Sequence, residues 1–304
     1  MSAPGRDGRG FSPPEVVVEV KAIACELPSH LGLPLSRLYV PDIQREVLRR
    51  GIVAEISGTT IWRWLSEDAI RPWAHRSWIF PRDPDFEAKA GRVLDLYAGT
   101  FEGRKLRRDE YVISADEMPS IQALARCHPT RPPGPGRAMR VEHEYQRRGT
   151  LAYMAAWDVH RAKVFGRCEA TTGIAPFARL VAQVMGQEPY ASARRVFWVV
   201  DNGSSHNGAP SIRRMEEAWP RAVLVHTPIH ASWLNQVEIY LGLTKRKALT
   251  PRDFADLAAA EERLFRFERY YEASAVPFEW KFTRADLAAL LRRLDAHRSL
   301  RPAA

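Results

Sequence analysis

The sequence predicts an α/β protein headed by a small all-α segment, and three observations carry that expectation. Residues 11–80 hold short helical patterns parted by polar turns. From residue 110 the apolar period becomes that of strands, and strands and helices then alternate. The chain has 304 residues, 45% of them hydrophobic and 27% charged, a balance that supports a buried core and excludes global disorder. Its longest apolar runs, such as Leu151 to Trp157 and Val196 to Val200, fall far short of the roughly 18 residues of a membrane helix. The N-terminal MSAPGRDGRG is polar and glycine-rich, so no signal peptide is expected. Cys25, Cys127 and Cys168 form no CxxC pair; this is neither a disulfide framework nor a zinc ribbon, and it fits a reducing cytoplasm.

In the first segment, Glu15 to Leu27 is the first expected helix. Pro41 to Arg50 is the second, with Pro41 suited to a first turn and Gly51 a stop signal. Ser57 is placed to cap a third, in which Ile61 and Leu65 share one face. Helix, short Gly-containing turn and helix make the helix-turn-helix pattern, whose second helix offers Thr59, Thr60 and Arg63 to a DNA groove. Three-helix packets that bind nothing share the pattern. Trp73, Trp78, Ile79 and Phe80 followed by Pro81-Arg-Asp-Pro read as a hinge with an aromatic plug, which sets a domain boundary near residue 80. Asp83-Pro84 then reads as an N-cap with proline at the first helical position, opening a helix to about Tyr97.

Beyond residue 110, Tyr111-Val-Ile-Ser-Ala is short, β-rich and ends in Asp116-Glu117. Residues 126–149 combine four prolines, several glycines and six arginines, and read as an extended basic loop. Leu151 to Val159 and Lys163 to Glu169, joined at His160-Arg161, form an expected hairpin. Ile174 to Met185 has a helical period, and Arg195 to Val200 is the strongest strand, ending in Asp201-Asn202-Gly203. A helix at Ala209 to Trp219, a strand at Ala222 to His226 and a helix at Ser232 to Lys247 follow. Thr250-Pro-Arg-Asp resembles a capping box opening a last long helix to about Tyr271.

Charge points to the class of partner. With 45 Lys+Arg against 36 Asp+Glu the net charge is +9, which favours a polyanion, most often nucleic acid. Residues 1–110 carry 17 basic and 16 acidic side chains, and residues 111–304 carry 28 and 20. The excess therefore sits in the second part, including Arg137, Arg140 and Arg147 of the basic loop and Lys245 and Arg246 at a helix end. These five are the cations assigned to DNA there. Arginine outnumbers lysine 38 to 7; guanidinium forks suit phosphate, and genome base composition produces the same skew.

Two carboxylates stand at expected strand ends, Asp116 and Asp201, where α/β sheets build their ligand sites. A third, Glu238, lies on the helix of Ser232-Trp-Leu-Asn-Gln-Val-Glu. Three acids from separate segments with few soft ligands suit Mg²⁺ or Mn²⁺. Two such ions about 3.5–4 Å apart activate an attacking oxygen and stabilise a leaving oxygen at phosphorus. Asp201-Asn-Gly is equally turn chemistry, Asp158 reads as structural, and Glu117 as solvated.

Ser114-Ala-Asp-Glu-Met-Pro-Ser-Ile-Gln-Ala, Val200-Asp-Asn-Gly-Ser-Ser-His and His230-Ala-Ser-Trp-Leu-Asn-Gln-Val-Glu resemble, in this order and spacing, the three blocks of IS630-type transposases. These belong to the Tc1/mariner group of the DDE superfamily. The resemblance covers roughly residues 35–295, including Trp78 to Pro84 and Leu249 to Phe254. It implies an RNase H-like catalytic core, a mixed sheet flanked by helices, over residues 81–304, preceded by a helix-turn-helix domain over residues 1–80. It carries the acidic triad onto Asp116, Asp201 and Glu238, holding Mg²⁺ or Mn²⁺, expected as two ions. It implies hydrolysis at the element's terminal inverted repeats and attack of the freed 3′-hydroxyl on target DNA, typically at TA. A homodimer or larger synaptic complex in the bacterial cytoplasm, at the nucleoid, follows from the same resemblance. Asn202 and His206 belong to the second block and Asn235 and Gln236 to the third, as aids to metal or phosphate or as local hydrogen-bonding groups. Two departures stand out: the helix-turn-helix region is shorter than usual, which predicts a shortened N-terminus, and Met118 replaces a common basic residue.

Other chemistry is weaker. His226-Thr-Pro-Ile-His230 has a zinc-like spacing, but Pro228 interrupts it and no second pair complements it. No GxxxxGK[ST] loop for ATP is present. The alternatives to an active transposase are a catalytically decayed or truncated relict acting only as a DNA-binding protein, and a nuclease built on the same core.

Overall fold

A computed structural model describes residues 13–75, 81–203 and 209–299, and the chain divides into two compact units, Met1–Ile79 and Phe80–Ala304. Trp78 to Phe80 and His206 lie outside the described residues.

The first unit holds α1 (Pro14–Ala24), α2 (Val40–Arg49) and α3 (Gly58–Glu67). α1 stops three residues short of the expected Leu27, because the residue preceding Pro28 is pushed out of the helical region. Pro41 sits in the first turn of α2, where the Asp42 carboxylate accepts the Tyr39 N–H at 2.9 Å, and Gly51 closes the helix at φ 68°. Ser57 caps α3 by accepting the Thr60 N–H at 3.1 Å. Val20, Ile23, Ile43, Val47, Ile61 and Leu65 meet in one core. Each contributes about 1.5–3 kcal/mol on burial. Residues 50–57 separate α2 from α3, a longer link than the 3–4-residue turn of a helix-turn-helix.

The second unit begins with α4 (Phe86–Tyr97) and a small hairpin, β1 (Thr100–Phe101) with β2 (Arg104–Lys105). A five-stranded sheet follows in the order β5-β4-β3-β6-β7, built from β3 (Glu110–Ala125), β4 (Gln146–Asp158), β5 (Lys163–Glu169), β6 (Arg195–Val200) and β7 (Ala222–His226). β3, β4 and β5 run antiparallel, while β6 and β7 run parallel to β3. The helices are α5 (Ile174–Met185), α6 (Ala209–Ala218), α7 (Val237–Lys247), α8 (Leu257–Glu272) and α9 (Arg284–Ser299), with a 3₁₀ turn at Ser232–Leu234.

Alternation along the strands loads both faces of the sheet. Val112, Tyr153, Trp157 and Phe197 point into a core shared with Val93 of α4, Tyr240 of α7 and Leu264 of α8. Ile113, Met154, Ala156 and Trp198 point the other way, against Phe177, Leu180 and Val184 of α5. Truncating a fully buried anchor such as Trp157 to alanine costs about 3–5 kcal/mol.

Several expected boundaries are corrected. β3 does not end at Ala115: a register shift between Met118 and Ile121, with Ser120 at φ 56°, absorbs Pro119, and the strand resumes with Ile121 and Ala123 buried. β4 begins at Gln146, so Arg147 is a strand residue paired with Leu124 and not part of a loop. Residues 126–145 form an arm pinned at its base. The largely buried Arg126 donates to the carbonyls of Glu142 and Arg252, and Thr130 donates to Asp253 at 2.6 Å. Asp83 caps no helix; its buried carboxylate accepts the N–H groups of Asp85 and Ile229, both at 2.9 Å, and pairs with Lys89. The helix expected from Ser232 is broken at Asn235-Gln236, and the one expected from Thr250 starts at Leu257, capped by Asp256. α9 and the β1–β2 hairpin add two elements that the sequence pattern does not predict.

Candidate active site

The register of the parallel strands brings two acids to one level. The last pair of β3 and β6 is Ser114 with Val199, so Asp116 and Asp201 each lie two residues further, at the carboxyl edge of the parallel pair. Asp116 remains paired with Ala155 of β4 and is 8% exposed. It is therefore not at a strand end; β3 continues while β6 stops. Asp201 sits just past β6, where its carboxylate accepts the Gly203 N–H at 2.7 Å. Asn202 ties the same edge together by donating to the Thr227 carbonyl at 2.7 Å.

Glu238 reaches this edge because α7 is locked onto β3. Asn235 donates to the Ala115 carbonyl at 2.9 Å and to Asp116 Oδ2 at 3.4 Å. Ser114 Oγ donates to Asn235 Oδ1 and accepts the Val237 N–H at 2.8 Å. Tyr97 of α4 completes the joint, donating to the Leu234 carbonyl at 2.7 Å and accepting the Gln236 N–H at 3.2 Å. Ser114, Asn235 and Gln236 are buried, where a hydrogen bond left unmade costs about 1–3 kcal/mol. The break at Asn235-Gln236 thus has a cause: those groups bond to β3 and α4, and α7 starts with Glu238 in its first turn.

The electrostatics follow. Burial, and then the charges of Asp201, Glu238 and Glu117, push the Asp116 carboxyl up to about 7, against the lowering effect of the Glu117 N–H at 2.8 Å. Burial, and then the charge of Asp201, raise Glu238 as well, although a hydrogen bond with Asp116 opposes the rise. Asp116 is raised by the charges of Asp201 and Glu238, and Glu238 by that of Asp201, so the three acids offer an all-oxygen donor set whose charge a hard divalent cation offsets. Among the described residues, no three His, Cys, Asp or Glu side chains already stand in a coordinating arrangement, and His226 with His230 makes no zinc set. The cluster fits Mg²⁺ or Mn²⁺ in charge and donor chemistry.

The cations assigned to DNA all reach solvent. Arg137 and Arg140 are exposed on a narrow turn in which Arg131 pairs with Arg140 and Gly134 with Arg137. Arg147 is exposed on β4, and Lys245 and Arg246 are exposed in the last turn of α7. On α3, Thr59 and Arg63 are exposed, while the half-buried Thr60 hydroxyl bonds Ser57 Oγ at 2.8 Å. Trp62, 56% exposed between them, is a surface residue that sequence reasoning misses, as it misses Ser114 and Tyr97. The signal for Trp62 is its spacing from Thr59 on the polar face; nothing local marks Ser114, whose partner lies 121 positions away.

Residues 112–260 match the family described as DDE superfamily endonuclease. Among solved structures, the chain is similar to the Mos1 mariner paired end complex with Mn, at 15% identity over 95% of this chain and 80% of that one, with a TM-score of 0.55. It is similar to the Mos1 transposase paired-end complex with left transposon end at 13% identity over 95% and 80%, with a TM-score of 0.52. The mariner Mos1 paired end complex with Mg gives 12% identity over 96% and 81%, with a TM-score of 0.50. At such identities the likeness is one of fold, and together with the sheet order it defines an RNase H-like α/β core preceded by a helical region. No curated protein matches the sequence significantly.

Proposed function

We propose, from the match of residues 112–260 to the DDE superfamily endonuclease family, that the chain is a Tc1/mariner-group transposase of the IS630 type. It cleaves the terminal inverted repeats of its element and transfers the freed 3′-hydroxyl into target DNA, at TA. The observation that supports the reading is that Asp116 and Asp201 stand at one edge of the parallel strands, while Glu238 at the start of α7 hydrogen-bonds Asp116.

In this reading Asp116, Asp201 and Glu238 would hold two Mg²⁺ or Mn²⁺ ions. Bound there, such ions would supply activation of the attacking oxygen and stabilisation of the leaving oxygen at phosphorus. The chain supplies the frame. Ser114 and Asn235 fix α7 against β3 and so hold Glu238 to Asp116. Asp116, with a pKa of about 7, carries its proton in part near neutrality and must lose it to act as a ligand. Arg137, Arg140, Arg147, Lys245 and Arg246 bind phosphates, and such contacts make affinity steeply salt-dependent. Thr59, Thr60 and Arg63 face DNA from α3 of a helix-turn-helix domain with a lengthened turn, within residues 1–80, while residues 81–304 form the catalytic domain. Two ends joined to one target call for a homodimer or larger synaptic complex, acting in the bacterial cytoplasm at the nucleoid. Among the described residues no helix is long and apolar enough to cross a membrane. The test is a labelled duplex carrying the element's terminal repeats, incubated with Mg²⁺ or Mn²⁺. Nicking abolished by Asp201→Asn supports the reading, and binding without nicking supports the relict instead.

A further inference from the structure

Among the described residues of the second unit, two glycines interrupt helix interiors, and one of them has a structural reason. A Cβ at Gly91 of α4 would lie 1.8 Å from the Arg284 guanidinium, which pairs with Asp95 on that helix. A Cβ at Gly242 of α7 would meet nothing within 4 Å. Glycine inside a helix is unfavourable relative to alanine, so α7 carries a local weakness that its own packing does not require.

The position of Gly242 identifies what would need the space. Val237, Tyr240, Leu241 and Thr244 bury one side of α7. At 100° per residue Lys245 and Glu238 lie on the flank of that buried side, and Gly242 and Arg246 continue the same sector round to the side opposite it. Along the axis Gly242 stands about 6 Å and Lys245 about 10 Å beyond Glu238. Lys245 and Arg246 are exposed and form no ion pair among the described residues. The sector thus runs from Glu238 at its acidic end, past Gly242, where no side chain stands, to two cations without an ion-pair partner among the described residues.

We propose that this face of α7 is a track for the DNA sugar-phosphate backbone, with closest approach at Gly242. Lys245 and Arg246 neutralise phosphates on the side away from the cluster, and the missing side chain lets the strand lie against the helix as it enters the site. The inference rests on the transposase reading and adds a positioning residue to it: Gly242 admits the strand by having no side chain.

The test uses the full chain with Gly242→Ala and Gly242→Leu. Because a Cβ at Gly242 meets nothing within 4 Å, the Ala variant is expected to fold with a melting temperature raised by about 2–4 °C through its helix propensity, and the melting curve of the Leu variant is taken beside it so that a folding defect is told apart from lost binding. Binding is measured by fluorescence anisotropy on a random-sequence duplex in EDTA, and nicking on supercoiled plasmid with Mn²⁺. The Leu variant is expected to lose about tenfold in affinity, the scale of forcing extra methylenes into a packed contact, with a smaller loss for Ala and parallel losses in nicking. Variants that gain stability while keeping wild-type affinity and nicking overturn the track alone. A wild-type chain that neither binds nor nicks overturns the transposase reading and the track together.

Discussion

Replacing Asp116 by asparagine is expected to stabilise the metal-free protein while destroying its activity. The Asp116 carboxyl moves from 3.8 to about 7 on folding, pushed first by burial and then by Asp201, Glu238 and Glu117. The folded chain therefore holds this proton more tightly than the unfolded one. Stability is lost as pH rises from about 4 to about 7, and the whole penalty is present above pH 7. A shift of about 3 units at 1.36 kcal/mol each sets an upper bound of about 4 kcal/mol. Asparagine keeps an oxygen to accept the Glu117 N–H at 2.8 Å and removes the charge. Thermal unfolding of both proteins in EDTA from pH 5 to pH 8 should show Asp116→Asn the more stable at pH 8. The gap should widen by up to about 3 kcal/mol over that range, a difference of several degrees in a protein of this size. Mg²⁺ should raise the melting temperature of the wild type and not that of the variant. A variant less stable at pH 8, or a gap that does not change with pH, refutes the idea of a strained carboxylate cluster.

Ser114→Ala removes the hydroxyl that joins Asn235 to the Val237 N–H; denaturant titration should show a loss of about 1–3 kcal/mol, and nicking should fall as Glu238 loses its fixed position. Glu268, raised to about 7 by burial and bonded by Tyr153 at 3.1 Å, also loses stability as pH rises toward 7. Glu268→Gln keeps an acceptor for Tyr153, so it should raise the melting temperature at pH 8 and leave nicking unchanged. Replacing Arg137, Arg140 and Arg147 by alanine should flatten the plot of log affinity against log salt by about 0.9 for each phosphate no longer neutralised, whereas Arg63→Ala should change the slope by no more than the value for one phosphate.

What is legible in the sequence follows range. α5, β6 and β7 have the predicted boundaries because each is a continuous apolar pattern flanked by turn residues. Ser57 is readable as a cap because its partner is three residues away. The errors come where distant groups decide. Asp116-Glu117-Met-Pro-Ser looks like the end of a strand, yet a bulge carries β3 through it because β4 offers pairing on the other side. Ser232 to Lys247 looks like one helix, yet Asn235 bonds to Ala115, 120 positions earlier, and the helix yields. Asp83 has the composition of an N-cap, but it is held by Ile229, 146 positions on. The three acids can be picked out by chemistry and resemblance, and Ser114 and Asn235 stand in the same blocks, but the bond that joins them across 121 positions and holds Glu238 in place has no local signature.

The charge distribution points to the same site. The sequence excess of +8 beyond residue 110 lies in the part of the chain that also holds the carboxylate cluster, and divalent cations there would add to it. The central claim is that this cluster cuts DNA with the help of those cations. The direct measurement is nicking of a labelled terminal-repeat duplex by the full chain with Mg²⁺ or Mn²⁺, compared with Asp201→Asn and with EDTA. Metal-dependent nicking that disappears in Asp201→Asn while duplex binding persists is the expected result; nicking that survives either the substitution or the chelator rules out metal-assisted cleavage at this cluster.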